Sequence, residues 1–545
     1  MSDGWPTPEG RERSRPSAPG ALDLAMLGLL FAGGMGLVLI ATPWGIGLSP
    51  DSVVYLAGAR GLVEGHGISF PLGGGLWNPI TSWPPFYSIA LAGANALGVD
   101  AWAAARWLNA ALLGASAVLV AVTVKRILGG RLLPALGGVL FLVSADVLAA
   151  YGWAWSDPLG LFLGFLGLLW LDVYLETSRR RDLIAAAIVL GLCAFTRYIG
   201  LAYLLVGLGA LAFASPRGVS ARRRTLDFVF LAVVACVPVA IWFIRNLALV
   251  GSAGGDISTT RGLSPQDWQA IYEAASLWVL PGRIPEPWRG GAMVVLVLAF
   301  FALTVVALAR PGNSRRGSTR LARMILGLVV LYMLLLVASR IFVRAFNIRD
   351  ARYLLPVYTG VLVLSIYDLA WVHDRLTVAL MSLRREPANR AGGHALKGVW
   401  AALLIAVLSY HGAQAVKWVR ESMSEGFGYA NASWSSSRLV AYLSKLPDGT
   451  PLVSNAFDAL FVIAHREVYP FPRSGRESAM PTGLTLAEEW DRTVDVLRDH
   501  AGVVAAFNTP TRKGQVTMKE LGQRLPLCVV DAFTEGTVYR VCEGE

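Results

Sequence analysis

Long apolar runs separated by short basic ones dominate this chain. A helix needs about 20 apolar residues to cross the hydrocarbon of a bilayer. Such runs stand at 21–42, 101–124, 132–150, 158–175, 183–199, 200–215, 226–248, 291–310, 321–340, 353–371 and 398–417. They predict a polytopic α-helical membrane protein with about eleven transmembrane helices. The run at 84–98 is shorter and opens with Pro84-Pro85. That length suits a helix lying along the membrane rather than one crossing it. Residues 1–20 are polar, basic and Pro-rich, which predicts a disordered N-terminus; 21–42 lacks a cleavage site and reads as an uncleaved first span.

Charge decides how the runs are threaded. With Arg11, Arg13 and Arg15 cytoplasmic and 84–98 not crossing, the later basic clusters all fall on the same side. These are Lys125, Arg126 and Arg131; Arg179, Arg180 and Arg181; Arg217, Arg222, Arg223 and Arg224; Arg310, Arg315, Arg316 and Arg320; and Arg375, Arg384, Arg385 and Arg390. That is the positive-inside pattern, and a crossing at 84–98 would break it in nearly every loop. The expected topology is therefore a multi-pass cell-membrane protein with its N-terminus cytoplasmic and its C-terminal tail extracytoplasmic. The tightest turn falls at Tyr198-Ile199-Gly200, between two spans with almost no loop.

Composition agrees. The chain of 545 residues is 55% hydrophobic and 16% charged, against roughly 25% charged in soluble domains. Its net charge of +11 sits in topology-setting loops, so it does not indicate a nucleic-acid partner. Cys193 and Cys236 fall inside apolar runs and read as core thiols. Cys528 and Cys542 lie in the tail, where their spacing suits no metal site and a disulfide is left open.

The tail, 418–545, changes character. Pro451-Leu452-Val453-Ser454-Asn455 and Leu460-Phe461-Val462-Ile463 read as short strands, 484–500 as an amphipathic helix, and Val503-Val504-Ala505-Ala506-Phe507 as a buried strand. Further strands are expected at 527–530 and 538–541. Together they predict a small α/β extracytoplasmic domain. The helical domain is expected over 21–417, with outer loops at 43–100 and 250–290.

The candidate chemistry clusters at the outer ends of the spans. Ser49 is an N-cap with Pro50 at the first helical position. Asp51 then lies in the first turn of a helix that runs to about Glu64, where Gly65-His66-Gly67 stops it, and Tyr55 shares its face. Asp51 is either a cap that suits the helix dipole or a group that does chemistry. Asp157, in Trp155-Ser156-Asp157-Pro158, starts another span and has the same two readings. Arg197, Arg245 and the cluster Arg340, Arg344, Arg349 and Arg352 lie at the same level. Guanidinium grips phosphate bidentately, and a carboxylate facing it is a natural base for an incoming hydroxyl. Snorkelling, helix capping or a bracing ion-pair network would account for the same residues one by one. The tryptophans at 268, 278 and 288 suit an interfacial belt or a sugar platform.

These stretches together resemble the GT-C superfamily of multispanning glycosyltransferases, in the branch of protein mannosyltransferases, aminoarabinose transferases and bacterial core-sugar transferases. The resemblance rests on Pro50-Asp51-Ser52-Val53-Val54-Tyr55 with Ala59-Arg60-Gly61-Leu62 and Gly65-His66-Gly67; on Trp83-Pro84-Pro85-Phe86-Tyr87; on Trp155-Ser156-Asp157-Pro158; and on Asp350-Ala351-Arg352-Tyr353-Leu354-Leu355-Pro356. It implies a polyprenyl-phosphate-linked sugar donor and a glycan, lipid or protein acceptor. It implies Asp51 as catalytic base, Asp157 as the second acidic residue and Arg197 beside the carrier phosphate. Tyr55, His66, Arg245, Arg352 and Tyr353 complete the candidate substrate-binding set. A divalent cation (Mg or Mn) between Asp51, Asp157 and the phosphate is left open. The second acid stands as Asp-Pro where many relatives have Glu-Pro. No Trp-Trp-Asp signature of oligosaccharyltransferases is present. Two other readings are a secondary transporter and a non-catalytic partner in envelope-polysaccharide assembly. The first is disfavoured by charges gathered at one face and by the lack of an internal repeat.

Overall fold

The computed structural model describes residues 20–214, 219–254, 262–310, 317–342, 349–382, 390–473, 484–509 and 514–542. The expected disorder of the N-terminus therefore concerns residues outside this set. So do Arg11, Arg13, Arg15, Arg217, Arg315, Arg316, Arg344, Arg384 and Arg385.

Every apolar run forms helix. Among the described residues eight helices are long and apolar enough to cross a membrane: Ala21–Ala41, Ala101–Leu128, Asp157–Thr177, Ala221–Val250, Glu286–Ala309, Thr319–Phe342, Ala351–Ala379 and Gly398–Glu425. The pair Leu132–Leu142 and Ala145–Tyr151, bent by 62°, makes a ninth when it is counted as one span. Arg180–Thr196 and Leu201–Phe213 account for the remaining two runs. They meet at Arg197, whose extended backbone (φ −152°, ψ 131°) breaks the helix before the turn at Tyr198–Gly200. The 84–98 run yields only Phe86–Asn95, ten residues. At 1.5 Å per residue that is about 15 Å, half a bilayer core.

The helix Ala101–Leu128 is the axis of the bundle, about 42 Å long. Helix Ala21–Ala41 crosses it at Gly34, where a Cβ would come within 2.7 Å of Gly114. Only a small-residue pair lets two backbones approach so closely. At its C-terminal end basic residues converge on buried acids. Asp172, fully buried, takes Arg126 at 2.5 Å and Arg320 at 2.8 Å, with the Ser318 hydroxyl donating at 2.7 Å. Asp23 takes Lys125 at 2.9 Å and Arg131 at 2.7 Å. Asp172→Ala removes the buried carboxylate that Arg126 and Arg320 share, leaving Arg126 only Glu176 and Arg320 only the backbone carbonyls of Asp172 and Leu175. It should cost about 3–5 kcal/mol, seen as a lower midpoint of thermal unfolding in detergent.

The opposite end carries the 42–100 connection and the small domain. Ser49 caps the Pro50–Val63 helix through a reciprocal box with Ser52. The hairpin of β1 (Ser69–Leu72) and β2 (Leu76–Pro79) follows. Gly61 is required where the helix packs on it, since a Cβ would sit 2.6 Å from the Gly67 carbonyl. The last long helix ends at Glu425, and β3 (Gly426–Phe427) pairs with β4 (Ala430–Asn431). The domain's main sheet contains β5 (Leu452–Ser454), β6 (Tyr469–Pro470), β7 (Val503–Phe507), β8 (Leu527–Phe533) and β9 (Gly536–Val541), in the order β6-β5-β7-β9-β8. Pairing around β5 is parallel, and β9 pairs antiparallel with β7 and β8. A disulfide joins Cys528 to Cys542 across the β8–β9 edge. One expected strand is a helix: Leu460-Phe461-Val462-Ile463 belongs to Phe457–Ile463. A short apolar run fits either element. Here helical spacing puts Phe457 and Phe461 together on Phe70 of β1, with ring centroids 5.8 and 5.4 Å away.

Candidate active site

The site is built where three chain segments lie side by side. Residues 47 and 48 are bridged to a segment on each side. Gly47 accepts from the Ala154 amide and donates to the Gly152 carbonyl, at 2.9 and 2.8 Å. On the other side Tyr429 donates to the Leu48 carbonyl at 2.9 Å. The Trp155 indole donates to Ser49 Oγ at 2.8 Å. These contacts fix where the Pro50–Val63 helix begins, and so where Asp51 projects.

Two ion pairs then stand next to each other. Asp51 Oδ2 accepts from Arg352 Nη2 at 2.6 Å, and its other oxygen takes no hydrogen bond among the described residues. Arg352 also faces Asp350 at 3.0 Å and lies over the Trp155 and Tyr353 rings, 4.2 and 5.0 Å from their centroids. Asp157 Oδ2 accepts from Arg197 Nη1 at 2.6 Å. Ser156 links the pairs, sharing a hydrogen bond with the Tyr55 hydroxyl at 2.8 Å and accepting from Arg197 at 3.3 Å. Arg197 lies 5.2 Å from the Tyr353 centroid. Tyr55 packs edge-on against Tyr87, from the Pro-Pro-aromatic helix, at 5.2 Å.

The two carboxylates differ in access. Asp157 is 6% exposed, whereas the Asp51 side chain is 32% exposed. An incoming hydroxyl can reach the second and not the first. Burial pushes the Asp350 carboxyl up, against the pull of Arg352 beside it. Burial also pushes the Tyr55 phenol up, so it remains a hydrogen-bond donor. Below Arg197 a narrow slot runs between helices, lined by Cys193, Tyr203, Tyr332, Leu355 and Pro356. The Tyr203 hydroxyl is buried there and finds no partner among the described residues.

Of the residues singled out in the sequence, Asp51, Tyr55, Asp157, Arg197, Arg352 and Tyr353 are brought together. His66 and Arg245 are placed elsewhere. His66 stacks on Trp77 of the β1–β2 hairpin, centroids 4.2 Å apart. Arg245 donates to the carbonyls of Ile68 and Ile80, at 2.9 and 3.0 Å, and lies over Trp242 at 4.5 Å. It clamps the hairpin to the bundle. Arg340 and Arg349 turn to Asp267, at 3.3 and 2.9 Å. Burial raises the Asp267 carboxyl, but the Ser264 amide, Arg349, the Ser264 hydroxyl and Arg340 outweigh it and hold it at about 2. Ser156 and Trp155 escaped selection, although both stand beside Asp157 in sequence.

The donor set does not fit a divalent cation held by Asp51 and Asp157. Each gives an oxygen to its own guanidinium, and among the described residues no three His, Cys, Asp or Glu side chains gather around one point. Arginine supplies the positive charge here.

No family model and no curated protein matches the sequence. The structure, however, matches solved membrane proteins along nearly its whole length. ArnT from Cupriavidus metallidurans bound to undecaprenyl phosphate matches with a TM-score of 0.62 at 15% identity, covering 95% of this chain and 98% of ArnT. Its apo state gives 0.60 with the same coverage. Mycobacterial arabinofuranosyltransferase AftD matches with 0.53 at 16% identity, over 96% of this chain and 42% of AftD. The chain thus shares the fold of ArnT over nearly the whole of both proteins, and that of AftD over part of the larger protein.

Proposed function

We propose that the chain transfers a sugar from a polyprenyl-phosphate-linked donor to an acceptor hydroxyl, with Asp51 as general base and inversion at the anomeric carbon. The observation that carries this reading is the pairing of the exposed carboxylate of Asp51 with Arg352, beside a second guanidinium, Arg197. The structurally similar ArnT binds undecaprenyl phosphate, which is the class of carrier proposed here.

The donor phosphate would lie against Arg197 and Arg352. Phosphate competes with Asp51 for Arg352. Once Arg352 turns to the phosphate, Asp51 is free to accept a proton. The acceptor oxygen attacks the anomeric carbon as its proton passes to Asp51, and the bond from that carbon to the phosphate oxygen breaks with its electron pair. The phosphate leaves as an anion, and guanidiniums already in place stabilise the charge as it develops. A single displacement inverts the anomeric centre. Asp157 holds Arg197 in position and is too buried to meet the acceptor. The site lies on the extracytoplasmic side by this reading, because the basic residues of the opposite end then face the cytoplasm.

The test is sugar transfer by the purified full-length chain in nanodiscs, across a panel of polyprenyl-phosphate sugars with envelope glycan as acceptor. Release of polyprenyl phosphate from one donor is expected. No release from any donor, by protein that still retains the carrier, would replace this reading with a non-catalytic one.

A further inference from the structure

The broken span, Leu132–Leu142 with Ala145–Tyr151, has no role in the site described so far. A break in a membrane helix exposes backbone polar groups, and it is tolerated where the backbone lines a cavity. A cavity is present. A cleft of about 180 Å³ opens at the break, between Ser144 and Asp146 on one wall and the long helix Arg390–Glu425 on the other. A cavity of about 150 Å³ already takes a single six-membered ring.

Its lining is costly at membrane depth. Asp146, His411 and Gln414 stand within or beside spanning helices, where polar side chains mark ligand paths. Asp146 accepts from the Trp278 indole at 2.9 Å. The Gln414 amide makes no hydrogen bond among the described residues, so its donors and its acceptor are available to a ligand. Trp278 and Trp418 provide the apolar surface. At the mouth Lys417 is paired with Glu421 at 3.7 Å. With Asp146 the cleft holds two carboxylates and one ammonium, a balance that disfavours an anionic head. Hydroxyl groups, which donate and accept at once, suit it, and so does the face of a sugar ring on indole.

A row of aromatic rings joins the wall of the cleft to the guanidinium that holds the base. Trp418 stacks on Phe427 at 5.3 Å, Phe427 packs tilted against Trp153 at 5.7 Å, Trp153 stacks on Trp155 at 5.0 Å, and Trp155 carries Arg352. The Gly398–Glu425 wall is almost wholly exposed on its outer side, so the entrance faces lipid.

We propose that this cleft seats the acceptor: a neutral, hydroxyl-rich glycan head carried on a lipid, entering sideways between Gly398–Glu425 and the bundle. The inference rests on the transferase reading for the meaning of the ligand, but its test does not need turnover. The full chain, purified without carrier, is examined by native mass spectrometry with monoglucosyl- and monogalactosyl-diacylglycerol, diacylglycerol and phosphatidylglycerol. At least one glycosyl lipid should be retained at concentrations tenfold or more below those needed for the other two. Gln414→Leu, which keeps the volume, should erase that preference, as should Trp418→Ala; the first variant guards against a folding defect in the second. Equal retention of diacylglycerol, a preference for phosphatidylglycerol, or a glycosyl preference untouched by Gln414→Leu would each overturn the proposal. Polyprenyl phosphate release is measured on the same preparations. Retention without release counts against the transferase and leaves the site standing; release without retention counts against the site alone.

Discussion

Asp51→Asn should lower the turnover of the purified chain by about 10²–10⁴-fold, the usual contribution of a positioned base, with little change in KM for the donor. The amide fits the same space, but it cannot accept the acceptor's proton. The Ser49–Ser52 box, which starts the helix, does not involve Asp51, so the fold should be retained. A steady-state assay of polyprenyl phosphate release gives kcat and KM together. Loss in KM alone would make Asp51 a binding residue. Unchanged kinetics would reduce it to an anchor for Arg352.

Arg352→Ala should be as damaging in a different way. The side chain is 10% exposed and faces Asp51, Asp350, Trp155 and Tyr353 at once. Removing it leaves two carboxylates facing the place where the phosphate must lie. KM for the donor should rise, and kcat should fall by about 10²–10³-fold, as when a preorganised charge partner is lost. Arg352→Lys keeps the charge without the planar fork, so it should recover part of kcat/KM. Full recovery would show that only charge matters. No difference between Lys and Ala would show that the flat stacking on Trp155 carries the effect.

Much of the helical plan was legible because it depends on local rules. Run length marked the membrane helices, and Pro84-Pro85 with a short apolar stretch marked the helix that does not cross. Ser49-Pro50 marked the start of the helix that carries Asp51. Tertiary partners were not legible in the same way. Nothing near Asp51 in sequence says that Arg352, 301 residues away, will pair with it. Nothing near Arg245 says that two backbone carbonyls of the first hairpin will use it. Asp267 was not singled out in the sequence, yet its capping box with Ser264 and its two arginines make it the anchor of the segment before Arg352. Leu460-Phe461-Val462-Ile463 was ambiguous for a more local reason, since four apolar residues carry no period of their own.

The bridged pair at 47–48 constrains how the protein can be made. It is bordered by residues 152–154 on one side and by Gly428 and Tyr429 on the other. A nascent chain emerging from the ribosome therefore holds its Asp51 carboxylate in the membrane interface, without its guanidinium, until most of the polypeptide has been threaded. The late spans and the terminal domain complete the early helix rather than merely follow it. A chain truncated before Arg352 should integrate normally and still never mature, which makes this end of the molecule a natural checkpoint for membrane quality control.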